Sequence, residues 1–193
     1  MKNIAIFASG RGSNAEQILK YIQTKELSEQ INVGLIVSNK KEAPVLDLAK
    51  RHGITSHILK RKAFYERTEL LDVLEQHKID WIILAGFLWL IPGYLVERFD
   101  HKIVNIHPAL LPKYGGKGMY GMHVHKAVKA AGETQSGISI HYVNEHYDEG
   151  NIIFQTTCEL DAQDTAEMIA SKVLALEHQH FPQVVARLVL GES

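Results

Sequence analysis

The chain has 193 residues, 46% of them apolar, and a formal net charge of −1. That length suits one domain with a sizeable core, and a charge so near zero gives no global field for nucleic acid or an anionic membrane. An anionic substrate would have to be held by local groups. The one cysteine, Cys158, excludes an intrachain disulfide, which suits a reducing compartment. The apolar run at 4–9 is too short for a signal peptide, and the run at 81–92 falls short of the ~20 residues of a membrane helix. A cytoplasmic location follows as an expectation.

Strand and helix patterns alternate along the first half. Residues 4–8 are apolar throughout, as a strand buried on both faces is. Ser13 and Asn14 favour a helix start, and Ala15, Ile18, Leu19 and Ile22 follow at helical spacing. Residues 33–37 read as a second buried strand. The next helix has Pro44 near its first turn and Gly53 after its end. A short third strand falls at 56–59. One helix is predicted over 64–77, with Leu70, Leu71 and Leu74 on one face. A fourth strand at 81–85, a short helix at 92–99 and a fifth strand at 103–106 complete the alternation, which implies a parallel sheet with helices on both faces.

The second half reads differently. Residues 110–122 are rich in glycine and lack periodicity, so they form a long loop. A helix over 123–131 stops at Gly132. Residues 139–143 and 152–157 alternate in the manner of paired strands. A long helix over 165–190 closes the chain, with Asp164, Thr165 and Glu167 as its start signal. The fold class is therefore α/β: one Rossmann-like domain over 1–193, with a mostly parallel central sheet flanked by helices and antiparallel strands in the C-terminal half.

Residues 9–15, Ser-Gly-Arg-Gly-Ser-Asn-Ala, join a buried strand to a helix. Amides at such a helix start carry partial positive charge, and glycine lets a phosphate approach the backbone. The string also fits a dinucleotide fingerprint, which calls for an acidic residue about 20 positions on. Ser38-Asn39-Lys40-Lys41 stands there instead. An NADP enzyme could use those lysines, but a single phosphate fits better.

Asn105-Ile106-His107-Pro108 follows the fifth strand. Ligands of open parallel sheets bind beyond the carboxyl ends of the strands, on the same edge as the glycine loop. Residues i and i+2 of a strand face one side, so an amide and an imidazole converge there. Downstream, 145–150 is an acidic segment between two strands, and taken alone it reads as a turn. Eleven histidines raise the question of a metal, but His123 and His125 open a helix, where a spacing of two does not converge, and no metal is expected.

Gly12-Ser13-Asn14, the Asn105-Ile106-His107-Pro108 string with Leu110-Leu111-Pro112, and Asp148 in its acidic loop together resemble the glycinamide ribonucleotide formyltransferases of the short monofunctional type. The wider formyltransferase superfamily also holds hydrolases and sugar formyltransferases, which remain the alternatives. A less favoured one is an NADP-dependent oxidoreductase.

The resemblance implies a catalytic set of Asn105, His107 and Asp148, with the carboxylate favouring the imidazolium and raising the His107 pKa. It implies a substrate phosphate on Gly12, Ser13 and Asn14 and a ribose hydroxyl on Glu177. The co-substrate 10-formyltetrahydrofolate would meet Leu88, Trp89, Leu90 and Ile91 on one wall and Asn144, Glu145, His146 and Tyr147 on the other, with its tail at Arg67. Residues 1–100 would thus be the phosphate-binding half, and 101–193 the catalytic and folate-binding half. The implied partners are small molecules, with no nucleic acid or membrane, in a monomer or homodimer. Trp89 stands where many relatives have arginine, residues 117–121 lengthen the loop, and Leu174 replaces a polar residue.

Overall fold

The computed structural model describes residues 1–192. In chain order the elements are β1 (Lys2–Phe7), α1 (Ser13–Thr24), β2 (Ile31–Ser38), α2 (Val45–Arg51), β3 (Ser56–Ile58), α3 (Arg61–Glu66) and α4 (Glu69–Gln76). There follow β4 (Trp81–Leu84), α5 (Gly93–Arg98), β5 (Ile103–His107), α6 (Met122–Ala130), β6 (Gln135–Tyr142), β7 (Ile152–Glu159) and α7 (Ala166–Leu190). All seven strands form one sheet in the order β3-β2-β1-β4-β5-β6-β7. The first five run parallel, while β6 and β7 are antiparallel to their neighbours. The expected α/β class and its antiparallel C-terminal part are both present.

Strand alternation divides the core in two. Ile4 and Ile6 of β1 join a cluster with Ile18 of α1, Leu48 of α2, Val124 of α6 and Phe181 of α7. Ala5 and Phe7 point the other way, onto Phe64 of α3, Leu74 of α4 and Leu95 of α5. Because both faces are covered, the central strands are apolar along their buried middles. That leaves the strand ends and their loops to carry polar chemistry.

The single helix expected over 64–77 is broken. Arg67 is extended, with φ −137° and ψ 162°, and separates α3 from α4. The Tyr94 hydroxyl donates to the Phe64 carbonyl at 3.1 Å, taking the acceptor that the next helical turn would use. Phe64 itself is fully buried, so packing outweighs continuation of the helix. β6 also starts four residues earlier than its alternation suggests, because it pairs with β7 from Gln135 opposite Glu159.

Two polar tethers fix the loops at the strand ends. The Ser9 amide donates to the Gly86 carbonyl, and Ser9 Oγ accepts from the Leu88 amide, both at 3.0 Å. The loops after β1 and β4 are thereby joined. Ser139 of β6 donates to the Ala109 carbonyl at 2.6 Å and accepts from the Leu111 amide at 2.9 Å, which holds the turn leaving β5.

At the start of α7 the Thr165 side chain accepts from the Met168 amide at 3.2 Å, as its start signal leads one to expect. Thr165→Ala leaves that amide without its cap. Urea unfolding should show a loss of about 1 kcal/mol, and an unchanged midpoint would count against a stabilising cap.

Candidate active site

Asn105 and His107 lie at the C-terminal end of β5, and register sets Asn105 opposite His141 of β6. These three side chains and Asp148, from the loop between β6 and β7, form one cluster. Asn105 Nδ2 lies 3.0 Å from His141 Nε2 and 3.4 Å from Asp148 Oδ1. His107 Nδ1 is 3.5 Å from Asp148 Oδ2, and His141 Nε2 is 3.6 Å from Asp148 Oδ1. The Gly116 amide donates to Asp148 Oδ2 at 2.9 Å. Asp148 has φ 57°, a left-handed conformation open to aspartate at modest cost.

Carbonyl acceptors settle which ring nitrogens carry hydrogen. His107 Nε2 faces the Tyr114 carbonyl at 2.7 Å, so it donates, and Nδ1 is left as the atom that gains or loses a proton. His141 Nδ1 faces the Tyr142 carbonyl at 2.8 Å and donates likewise, which lets Nε2 accept from Asn105.

The cluster opens into a cavity of about 490 Å³ between the start of α1, the ends of β4 and β5 and the loop after β5. Asn14 and Glu177 line the same space, with Asn14 Nδ2 donating to Glu177 Oε2 at 2.6 Å. Asn14 stands in the first turn of the twelve-residue α1, whose free amides give that side of the cavity a positive edge. Gly12, just before it, has φ 77°, and a Cβ there would lie 2.5 Å from Val45 Cγ2. Gly12 is therefore required both for its backbone angle and for the close approach of α2.

Residues 2–185 match the family described as formyl transferase. The chain belongs to the formyl transferase family. The chain is 42% identical to the chloroplastic phosphoribosylglycinamide formyltransferase of Arabidopsis thaliana, over 97% of its own length and 65% of that protein's. Identity to the phosphoribosylglycinamide formyltransferase of Bacillus subtilis is 36%, over 98% of this chain and 95% of that one. The crystal structure of phosphoribosylglycinamide formyltransferase from Anaplasma phagocytophilum superposes with a TM-score of 0.86 at 34% identity, covering 98% of this chain and 88% of that one.

Burial sets the electrostatics of this formyl transferase site. His107 is only 3% exposed, and the loss of solvent lowers its pKa. The Asp148 charge and the Tyr114 carbonyl oppose that shift without reversing it, while His141 adds to it. The expected rise in the His107 pKa is thus overturned: desolvation outweighs the neighbouring carboxylate. Burial also pushes Asp148 up, but His141, the His107 charge and the Gly116 amide more than compensate, and its pKa lies below the usual value. Glu177 behaves in the opposite way. Its burial outweighs the Asn14 hydrogen bond and raises its pKa to about 7.

The cavity gathers Asn14, Leu88, Asn105, His107, Tyr147, Asp148 and Glu177 from the expected set. Gly12 and Ser13 flank it through Asn14. The other residues expected near folate are outside this cavity's lining. Arg67 is exposed and paired with Glu69 at 2.8 Å. Trp89 packs on Phe64 at 5.5 Å between centroids, and Ile91 is buried in the second core cluster. Leu90, Asn144, Glu145 and His146 are also outside the cavity lining. The Asn144 side chain accepts from the His146 amide at 2.9 Å, a contact local to its loop.

Three features escaped the sequence reading. His141 joins the cluster through strand pairing, which its place in an alternating strand could have signalled. Buried His125 lines the cavity, and from sequence it could equally be solvated or lie near the ribose. Arg61, rather than Arg67, stacks over Tyr65 and Trp89, at 5.5 Å from each ring; its spacing of four from Tyr65 was the available sign.

A carboxyl group whose pKa is raised on folding binds its proton more tightly in the folded state. Its contribution to stability is full below the unfolded value of 4.5 and is lost as pH rises through about 7. Between those limits the stability of wild type should fall relative to Glu177→Gln by on the order of 3 kcal/mol. Urea unfolding of both proteins across this range measures the difference, and parallel pH curves would contradict the assignment.

Proposed function

We propose that the protein transfers the formyl group of 10-formyltetrahydrofolate to the amine of glycinamide ribonucleotide, giving formylglycinamide ribonucleotide and tetrahydrofolate, a step of purine synthesis. One observation carries this reading: the cavity that holds the Asn105, His107 and Asp148 cluster also reaches Asn14 at the start of α1 and Glu177 of α7. A phosphate held at that helix start sets the ribose toward Glu177 and the amine toward His107. The names of the relatives support the same substrates.

The residues of the cavity fit the formyl donor. Phe87, Leu88 and Ile106 supply apolar surface for a ring system. When bound, the donor brings a formyl group already activated for transfer. Asn105 then presents its amide to the formyl oxygen, which gains negative charge as the amine adds to the carbon. Reorienting Asn105 toward that oxygen takes its amide away from Asp148, whose carboxylate keeps the Gly116 amide and stays beside His107 Nδ1. Neutral His107 accepts the amine's proton at Nδ1, and Asp148 stabilises the imidazolium so formed. The bond from formyl carbon to folate nitrogen breaks, and His107 returns the proton to that nitrogen. Neutral His107 at rest is what the burial of the ring favours, and a base is what the first proton transfer needs.

Absorbance assays with both substrates, and with each omitted, test the proposal. Tetrahydrofolate should be released only when the ribonucleotide is present. Release without any amine acceptor would instead mark a hydrolase, and no release under any combination would overturn the reading. Asp148→Asn should lower kcat by about 10²–10⁴-fold while leaving ribonucleotide affinity within about threefold, as calorimetry would show. Near-normal turnover in that variant would exclude Asp148 from the chemistry.

A further inference from the structure

Tyr114 lies in the loop after β5 with φ 56°, in the left-handed region that bulky residues seldom adopt. Such a conformation persists where the surroundings over-determine it. Here the residue is fastened at both ends. Its carbonyl accepts from His107 Nε2 at 2.7 Å. Its phenol donates to Glu133 Oε1 at 2.8 Å, and Lys113 Nζ donates to the same oxygen at 2.9 Å. Glu133 belongs to the turn that joins α6 to β6, so the phenol is anchored to a different part of the chain from the one its backbone serves.

We propose that the Lys113–Glu133–Tyr114 ladder is a positioning device for His107. It keeps the Tyr114 backbone left-handed and so holds its carbonyl on Nε2 and directs Nδ1 at Asp148. If the phenol is released, the backbone is free to relax to a right-handed conformation, and the carbonyl swings off the ring. The Lys113 side chain is 67% exposed, so its ion pair contributes little. The bond from the neutral phenol to the charged carboxylate is the main anchor. The groups that face the His107 ring are Asp148, His141 and His125, and the ladder touches none of them directly.

The kinetic part of this inference rests on the formyl-transfer reading; the titration of His107 does not. Tyr114→Phe keeps the ring and removes only the hydroxyl. It should lower kcat about tenfold and change KM for either substrate by less than about twofold. His107, followed by NMR, should titrate at a lower pH than in wild type, because Nε2–H loses its acceptor. Glu133→Ala should reproduce both effects, and the double variant should be no worse than either single one. Glu133→Ala also carries the test alone should Tyr114→Phe fail to fold. A His107 titration that stays in place in the folded variants, with only the melting temperature lowered, would reduce the ladder to a structural contact and overturn the proposal. Additive losses in the double variant would overturn it equally. A wild type without formyl transfer would defeat the functional reading and leave the NMR comparison to decide this one.

Discussion

The Asp148 carboxylate keeps its charge in a largely desolvated place because four groups surround it. Asn105 and His107 come from β5, His141 from β6, and the Gly116 amide from the glycine-rich loop. Three separate stretches of chain meet at one side chain. A buried carboxylate without such partners would take up a proton instead, and the site would lose both its charge and its geometry. The left-handed backbone at Asp148 is a local cost borne so that the carboxylate can face inward.

The sheet makes that meeting possible. Its direction changes at β6, so β5 and β6 run antiparallel and present Asn105 and His141 side by side. The loop after β5 leaves from the same edge, held by Ser139. The loops after β1 and β4 are joined through Ser9. The start of α1 and the Asn105, His107 and Asp148 cluster thus share one cavity, although their residues are separated by most of the chain. The two carboxylates play different parts there. Asp148 is kept charged by the Asn105 and Gly116 donors and the imidazoles beside it, whereas Glu177, whose one hydrogen-bond partner among the described residues is Asn14, is driven toward the neutral acid. Neutral Glu177 can donate to a hydroxyl as well as accept from one.

Much of this could be read from residue types in order. The βα alternation follows from apolar strands covered on both faces, and Asn105 and His107 point the same way because strand residues alternate. Long-range competition was harder to see. The helix over 64–77 breaks because a tyrosine thirty residues away takes its Phe64 carbonyl. Arg67 consequently sits at an exposed break in the backbone, while Arg61 lies on the aromatic cluster. The alternation of β6 gives the face of His141, and its pairing with β5 gives its neighbour Asn105. The direction of the His107 shift depends on how deeply the ring is buried, and no pattern of residues near it in sequence reports that depth. Backbone partners such as the Tyr114 carbonyl and the Gly116 amide leave no mark in a sequence at all.

Asp148 holds the loop, the amide and the imidazoles in one arrangement. Hydrogen exchange at the Gly116 amide tests this most directly, since that amide donates to the carboxylate itself. In Asp148→Ala the Gly116 amide should exchange at least about tenfold faster than in wild type, while amides of the central strand β4 stay equally protected in both proteins. Unchanged protection at Gly116 in a folded Asp148→Ala protein would show that the loop is ordered without the carboxylate, and would contradict the account.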